Sequence, residues 1–439
     1  MTEEANGDRT GSAEGPGTWR SVVRRLAVVG IPLGVVLVLA WTFLSPLGYW
    51  PGSSMTTAWT TPLDKVAPVP STHRSWLVGD TLVRARYNAV TGFDAASGER
   101  RWEYAPPRRR DICAASETAD GSRLLIAYTE DIRKPGAGCT TVAALDLAVG
   151  RELWHTALTP AHRDTTDGLG ALAVGGGLGV VLDASAGTGA PAVRAVDLRT
   201  GSPRWRGAVP KGCVPGSVAI SPRQVLAVLT CGEERKLAAF DPSDGHERWT
   251  TAVDTRDGVP AGASVTVTAT EPIVLRVAKD RRDVDSYLRE EGVEAFLTFD
   301  AEGRPGARIE TNGEGYGSIG TQVVVSDQRL FARTSGGGWG LVVAFDLTTG
   351  RELWQEAIGG KDYAVQGLHA QDGRVMVVNA SHRYGDILNV FDAATGDEEE
   401  DRHFRDDTGD VDRLLLYGDR FIAVRSGGSA APFTAYQRW

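Results

Sequence analysis

Three sets of residues in this 439-residue chain are of types that do chemistry. The first is acidic: Asp397-Glu398-Glu399-Glu400-Asp401, followed by Asp406, Asp407, Asp410 and Asp412. Carboxylates this dense could attract calcium. The stretch lacks the alternating Asp-x-Asp-x-Asp-Gly loop closed by Glu that a calcium hand uses, so an acidic rim is the default reading. The second set is Cys113, Cys139, Cys213 and Cys231. Four thiolates could hold zinc, but no two stand at Cys-x2-Cys spacing, which favours disulfides. The third set is an aspartate that recurs in one phrase, Asp-x3-Gly-x3-Trp. Nothing else resembles a catalytic kit. His73, His155, His162, His246, His369, His382 and His403 show no ligand spacing. Nucleophile-elbow, zinc-protease and phosphate-loop phrases are missing. Gly175 to Gly177 and Gly336 to Gly338 sit between apolar runs, where turns account for them. Site prediction therefore gives no catalytic, cofactor-binding or metal-binding residue.

The recurring phrase reveals the elements around it. Val342 to Phe345 is an apolar run, Asp346 to Gly350 carries turn chemistry, and Arg351 to Trp354 begins a second strand. The phrase is complete five times, at Asp94/Gly98/Trp102, Asp146/Gly150/Trp154, Asp197/Gly201/Trp205, Asp241/Gly245/Trp249 and Asp346/Gly350/Trp354. Two copies are degraded: Asp300…Gly303 is a residue short and has no Trp, and Asp392…Gly396 has Glu400 in the Trp position. A truncated copy, Thr434-Ala435-Tyr436-Gln437, ends the chain at Trp439.

Successive motif aspartates lie 44 to 59 residues apart. Periods in this range, with several strands per repeat, predict a propeller. The sixth repeat divides into Thr321 to Val325, Arg329 to Ala332, Leu341 to Phe345 and Glu352 to Trp354. The last repeat has only three strands, within Arg413 to Tyr417, Phe421 to Val424 and Phe433 to Tyr436. The missing strand is at the other end, because Ala58-Trp59-Thr60-Thr61-Pro62-Leu63-Asp64 reads like Arg248-Trp249-Thr250-Thr251-Ala252-Val253-Asp254. The fold expected is all-β: an eight-bladed β-propeller of four-stranded blades, its ring closed by the N-terminal strand around Trp59. Such closure removes the two sheet edges that invite aggregation.

The Asp-x3-Gly-x3-Trp phrase after an apolar strand resembles the repeat of pyrroloquinoline-quinone (PQQ) type β-propellers, over roughly residues 56 to 439. The resemblance implies that Trp59, Trp102, Trp154, Trp205, Trp249 and Trp354 dock between adjacent blades. An aromatic binding cage is the rival reading. Quinoprotein dehydrogenases of this family use PQQ with calcium, an Asp base and, in many members, a disulfide between adjacent cysteines. This chain has no adjacent cysteines, and its motif aspartates are turn residues. The resemblance also includes the propeller subunit of the outer-membrane protein assembly machinery, which carries no cofactor but is a lipoprotein. The leading expectation is thus a non-catalytic scaffold, without cofactor, binding a cell-envelope protein or ligand. The alternative is a PQQ- and calcium-dependent dehydrogenase of alcohols or sugars.

The ends of the chain and its charge set the compartment. Net charge is −9 and only six of the 47 basic residues are lysine. No basic stripe stands out, which argues against nucleic acid. Residues 1–19 are small and polar, a disordered cytoplasmic tail. Arg20, Arg24 and Arg25 precede an uncharged run from Leu26 to Leu44. Nineteen residues at 1.5 Å each reach about 28 Å, enough to span a membrane. The arginines place the N-terminus inside and the propeller outside, as a single-pass protein of the cell membrane. Residues 20–48 read as an uncleaved anchor and 49–55 as a linker. An oxidising compartment would let the cysteines pair within their own repeats, 113 with 139 and 213 with 231. The charged insertion Asp280 to Glu291 lengthens the fifth repeat and is read as a solvated loop.

Overall fold

The computed structural model describes residues 54–64, 74–130, 138–158, 170–183, 190–253, 259, 263–278, 293–313, 315–335, 340–359, 364–381, 383, 385–426 and 430–438. The expected tail, the anchor with Leu26 to Leu44, the insertion Asp280 to Glu291 and the run Gly336 to Gly338 lie outside these residues. So do His73, His162 and His382. Among the described residues no helix is long and apolar enough to cross a membrane.

The chain is all-β, and its sheets are arranged like a propeller. Consecutive antiparallel sheets of four strands occupy residues 74–104, 111–157, 172–208, 213–252 and 264–310. The next, 312–358, gains a fifth strand from Asn312–Gly313. Its main strands, Gly317–Ser326, Arg329–Ser335, Gly340–Asp346 and Glu352–Ile358, run longer at their ends than the apolar periodicity marks. The extensions still carry buried side chains, Ile319, Thr334 and Ile358, but at spacings too irregular for the periodicity to report.

The final sheet has eight strands. Ala364–Gln371, Arg374–Ala380, Ile387–Asp392 and Glu398–Phe404 form one half. Arg413–Tyr417, Arg420–Val424, Phe433–Arg438 and the N-terminal strand Ser54–Thr60 form the other. The N-terminal strand runs antiparallel to Phe433–Arg438, with Trp59 opposite Ala435. Ser54 and Met55, read as linker, already belong to it and touch His403 and Phe404 in a short parallel pairing.

Apolar side chains are buried between consecutive units. Leu82 and Phe93 of the first unit pack with Ile422 and Phe433 of the last, so the series closes on itself. First strands of several neighbouring units also touch, such as Ala364–Gln371 with Arg413–Tyr417, which places first strands innermost. Hairpins between first and second strands share one face with the Asp–Gly turns. Connections between second and third strands share the opposite face.

Candidate functional site

The Asp–Gly turn is built the same way at Asp94, Asp197, Asp346 and Asp392. Asp197 Oδ1 accepts from the backbone N–H groups of Arg199 and Thr200, at 3.1 and 2.9 Å. Asp346 does the same for Thr348 and Thr349, at 2.9 and 2.7 Å. Gly201 then donates its N–H to the Asp197 carbonyl at 2.8 Å, with φ of 73°, a left-handed conformation that favours glycine. The outer carboxylate oxygen takes an arginine seven residues on: Arg101 for Asp94, Arg204 for Asp197 and Arg248 for Asp241. Hydrogen bonds to the anion lower these carboxyls; Asp197 falls to about 2, chiefly through Arg204. The motif aspartates are therefore occupied as turn anchors.

The six tryptophans each meet the turn of the following unit. A Cβ built at Gly201 would lie 2.7 Å from the Trp154 ring, and one at Gly396 would lie 2.7 Å from Trp354. Trp59, Trp102, Trp205 and Trp249 stand in the same way against Gly98, Gly150, Gly245 and Gly303. Four indoles also donate to the carbonyl one residue past the next aspartate: Trp154 to Leu198, Trp205 to Pro242, Trp249 to Ala301 and Trp354 to Ala393. The distances are 2.9, 2.7, 2.9 and 3.2 Å. Within its own sheet each Trp stands opposite a small residue, Gly92, Ala144, Ala195, Ala239, Ala344 or Ala435.

The two degraded repeats are joined differently. Where the fifth repeat lacks Trp, its backbone fills the place: a Cβ at Gly350 would lie 2.6 Å from the Arg308 carbonyl oxygen. Where Glu400 replaces Trp, the opposite residue becomes Val390. Glu400 reaches across the boundary to Arg438 at 3.3 Å and also pairs with Arg402.

Both expected disulfides are present, Cys113–Cys139 and Cys213–Cys231. Cys113–Cys139 ties the first strand of its unit to the stretch that leads into the third, and Cys213–Cys231 ties the first strand to the end of the second, both on the face opposite the Asp–Gly turns. The acidic stretch does not converge. Glu398 accepts from Asn389, Glu399 pairs with Arg374, Asp406 accepts from Thr57, and Asp412 accepts from the Ser426 N–H. Among the described residues no three His, Cys, Asp or Glu side chains group to hold a metal. Of the histidines, His155 meets Glu152 at 2.5 Å and His369 is half-buried near Gln371, with burial lowering its pKa.

Sequence reasoning missed a set of charges around Ser75. Arg84 is 2% exposed in the second strand of the first unit. Its Nε pairs with Asp64 at 3.1 Å and its Nη1 donates to Ser75 Oγ at 3.2 Å. Arg86 takes the other Asp64 oxygen, also at 3.1 Å. Arg413, from the last unit, donates to the Ser75 carbonyl, and Arg74 pairs with Glu117. The available signal was Leu82-Val83-Arg84-Ala85-Arg86, two arginines inside a strand that packs on both faces. A separate open cleft of about 510 Å³ lies by the Asp–Gly turns, bordered by Arg223, Gln224, Asp241, Arg248 and Glu302. Its charges are already paired, Arg248 with Asp241 at 3.2 Å and Arg223 with Glu271 at 3.9 Å.

Comparison with known proteins agrees with this geometry. Solved structures align with the chain at low identity. BamB from Moraxella catarrhalis aligns with TM-score 0.49 and 18% identity, over 86% of this chain and 97% of that one. Quinohemoprotein alcohol dehydrogenase from Comamonas testosteroni aligns with TM-score 0.51 and 13% identity, over 88% and 76%. Saccharomyces cerevisiae Sqt1 aligns with TM-score 0.50 and 10% identity, over 89% and 99%. No curated protein matches the sequence. A family model does, over residues 56–190 and 189–424, and its description is outer membrane protein assembly factor BamB. With its repeats, its turns and its sheets all of one pattern, the chain belongs to this PQQ-like β-propeller family.

Proposed function

We propose that this protein is a membrane-tethered, extracytoplasmic scaffold: an eight-bladed β-propeller that binds a protein or ligand of the cell envelope without catalysis. One observation carries the reading. The carboxylates and indoles of the repeated motif are spent on the turns and on the seams between units. What repetition conserves here is a rigid disc, and a disc presents its loops to a partner. Membership in the BamB family supports a role in the assembly of envelope proteins. What supports eight blades is the last sheet, whose two halves each match one four-stranded unit. The tether rests on Leu26 to Leu44 and the arginines before it.

The dehydrogenase alternative requires a calcium cradle beside PQQ. Among the described residues the carboxylates do not group into such a cradle, and Glu398, Glu399 and Asp406 each have a separate partner. The deciding experiment is a titration of the full-length protein, in detergent, with PQQ and Ca²⁺, followed by absorbance and melting temperature. An unchanged melt supports the scaffold. Saturable micromolar binding with a raised melt would replace it with the dehydrogenase. Alkaline phosphatase fused after Trp439 tests the orientation, and activity in intact cells is expected.

A further inference from the structure

We propose that the inner rim beside Ser75 is a binding site for an oxyanion, a carboxylate or phosphate group, held by Arg413 and backed by Arg84. The site goes beyond the scaffold reading and stands without it. It forms where the first and last units meet, on the face opposite the Asp–Gly turns. Arg74 opens the first strand of the first unit and pairs with Ala85; Arg413 opens the first strand of the last unit and pairs with Val424. Both therefore stand at the same end of adjacent inner strands.

The ion pairs at this place leave one guanidinium out. Four guanidiniums gather: Arg74, Arg84, Arg86 and Arg413. Three carboxylates pair with them: Glu117 with Arg74, Asp64 with both Arg84 and Arg86, and Glu103 with Arg86. Arg413 has no carboxylate within ion-pair distance among the described residues; its partner is the Ser75 carbonyl. Nearby Asp412 accepts from the Ser426 N–H and acts on Arg84 and Arg413 through its charge, without an ion pair to either.

A second observation points to a ligand independently of this count. Arg84 is 2% exposed, and its Nη2 is buried with no hydrogen-bond partner. A buried guanidinium with an unmet donor is costly, and an anion is the group that relieves it. Arg413 supplies the reachable half of the site, since its side chain is solvent-accessible. It is nonetheless enclosed enough that desolvation lowers its pKa, with Arg74 adding to the effect. Planar guanidiniums match the two oxygens of a carboxylate or phosphate.

The test is calorimetric titration of the full-length protein in detergent with inorganic phosphate and, separately, with glutarate. Chloride holds the ionic strength constant. Saturable 1:1 binding of either anion is expected, and Arg413→Gln should weaken it about tenfold. Arg223→Gln, on the opposite face, should bind like the wild type. Phosphate alone would assign a phosphoryl ligand, and glutarate a carboxylate-bearing one such as an acidic peptide. Failure of both anions to saturate would overturn the proposal, as would wild-type affinity in Arg413→Gln. Arg413 is exposed, so its substitution tests the site even if Arg84→Gln does not fold.

Discussion

The indole of Trp154 lies against Gly201 of the next unit and donates to the Leu198 carbonyl at 2.9 Å. One side chain thus joins two sheets by apolar contact and by a hydrogen bond. The glycine is required twice, for its φ of 73° and for the space the ring fills. Gly201→Ala is expected to destabilise the protein by about 2–4 kcal/mol, the strain of a left-handed alanine plus local overpacking. Gly176→Ala provides the comparison, since Gly176 has φ of 60° and open space around it. It should lose only the conformational part, about 1–2 kcal/mol. Urea unfolding of both variants separates the two effects, and equal losses would show that the ring contact contributes nothing.

The boundary at Glu400 has adapted to the loss of Trp. Val390 stands where the intact repeats carry Gly or Ala, so an indole there would meet a branched side chain. Glu400→Trp alone should destabilise by about 1–3 kcal/mol through overpacking and the loss of the pair with Arg438. Adding Val390→Ala should recover part of that loss. A double-mutant cycle measures the coupling, and strict additivity would argue against a shared space.

Acid should loosen the turns. In the folded protein Asp197 sits at about 2, below its ordinary value of 3.8, because Arg204 and local N–H groups bind the anion. A carboxyl depressed in the folded state stabilises above its unfolded value, and the contribution disappears as pH falls through the folded one. Asp94, Asp241, Asp300, Asp346 and Asp392 shift in the same direction. Stability should therefore fall from about pH 4 to about pH 2. Asp197→Asn should be less stable at pH 7 and show a shallower fall, measured as melting temperature against pH.

The disulfides close short loops. Cys213 and Cys231 are 18 residues apart, and Cys113 and Cys139 are 26. Loop-closure entropy assigns each about 3 kcal/mol. Removing the first pair as Cys213→Ser with Cys231→Ser should lower the denaturant midpoint accordingly. The variant should then be insensitive to reductant at that unit, which mass spectrometry after alkylation can verify.

How much of this was legible follows from the range of each interaction. The turn Asp346 to Gly350 and the strands beside it are set by residues a few positions apart, so the sequence alone determined them. Repetition of that local unit at 44 to 59 residues then determined the fold class. Pairing of Trp59 with the last unit was readable too, because residues 58–64 repeat the pattern of 248–254. The hydrogen bond from Trp154 to Leu198 was not, since its ends are 44 residues apart and no local signal links them. The same holds for the carbonyl of Arg308 against Gly350 and for Glu400 with Arg438, where the degraded repeats are visible but their repairs are not. The gathering of Arg84, Asp64 and Arg413 around Ser75 is the extreme case. Arg413 and Ser75 stand 338 residues apart, and only closure of the ring brings them together. Local backbone preference wrote the repeat into the sequence. Where the repeats meet, packing and charge are set by three-dimensional proximity, and that is where the candidate binding site lies.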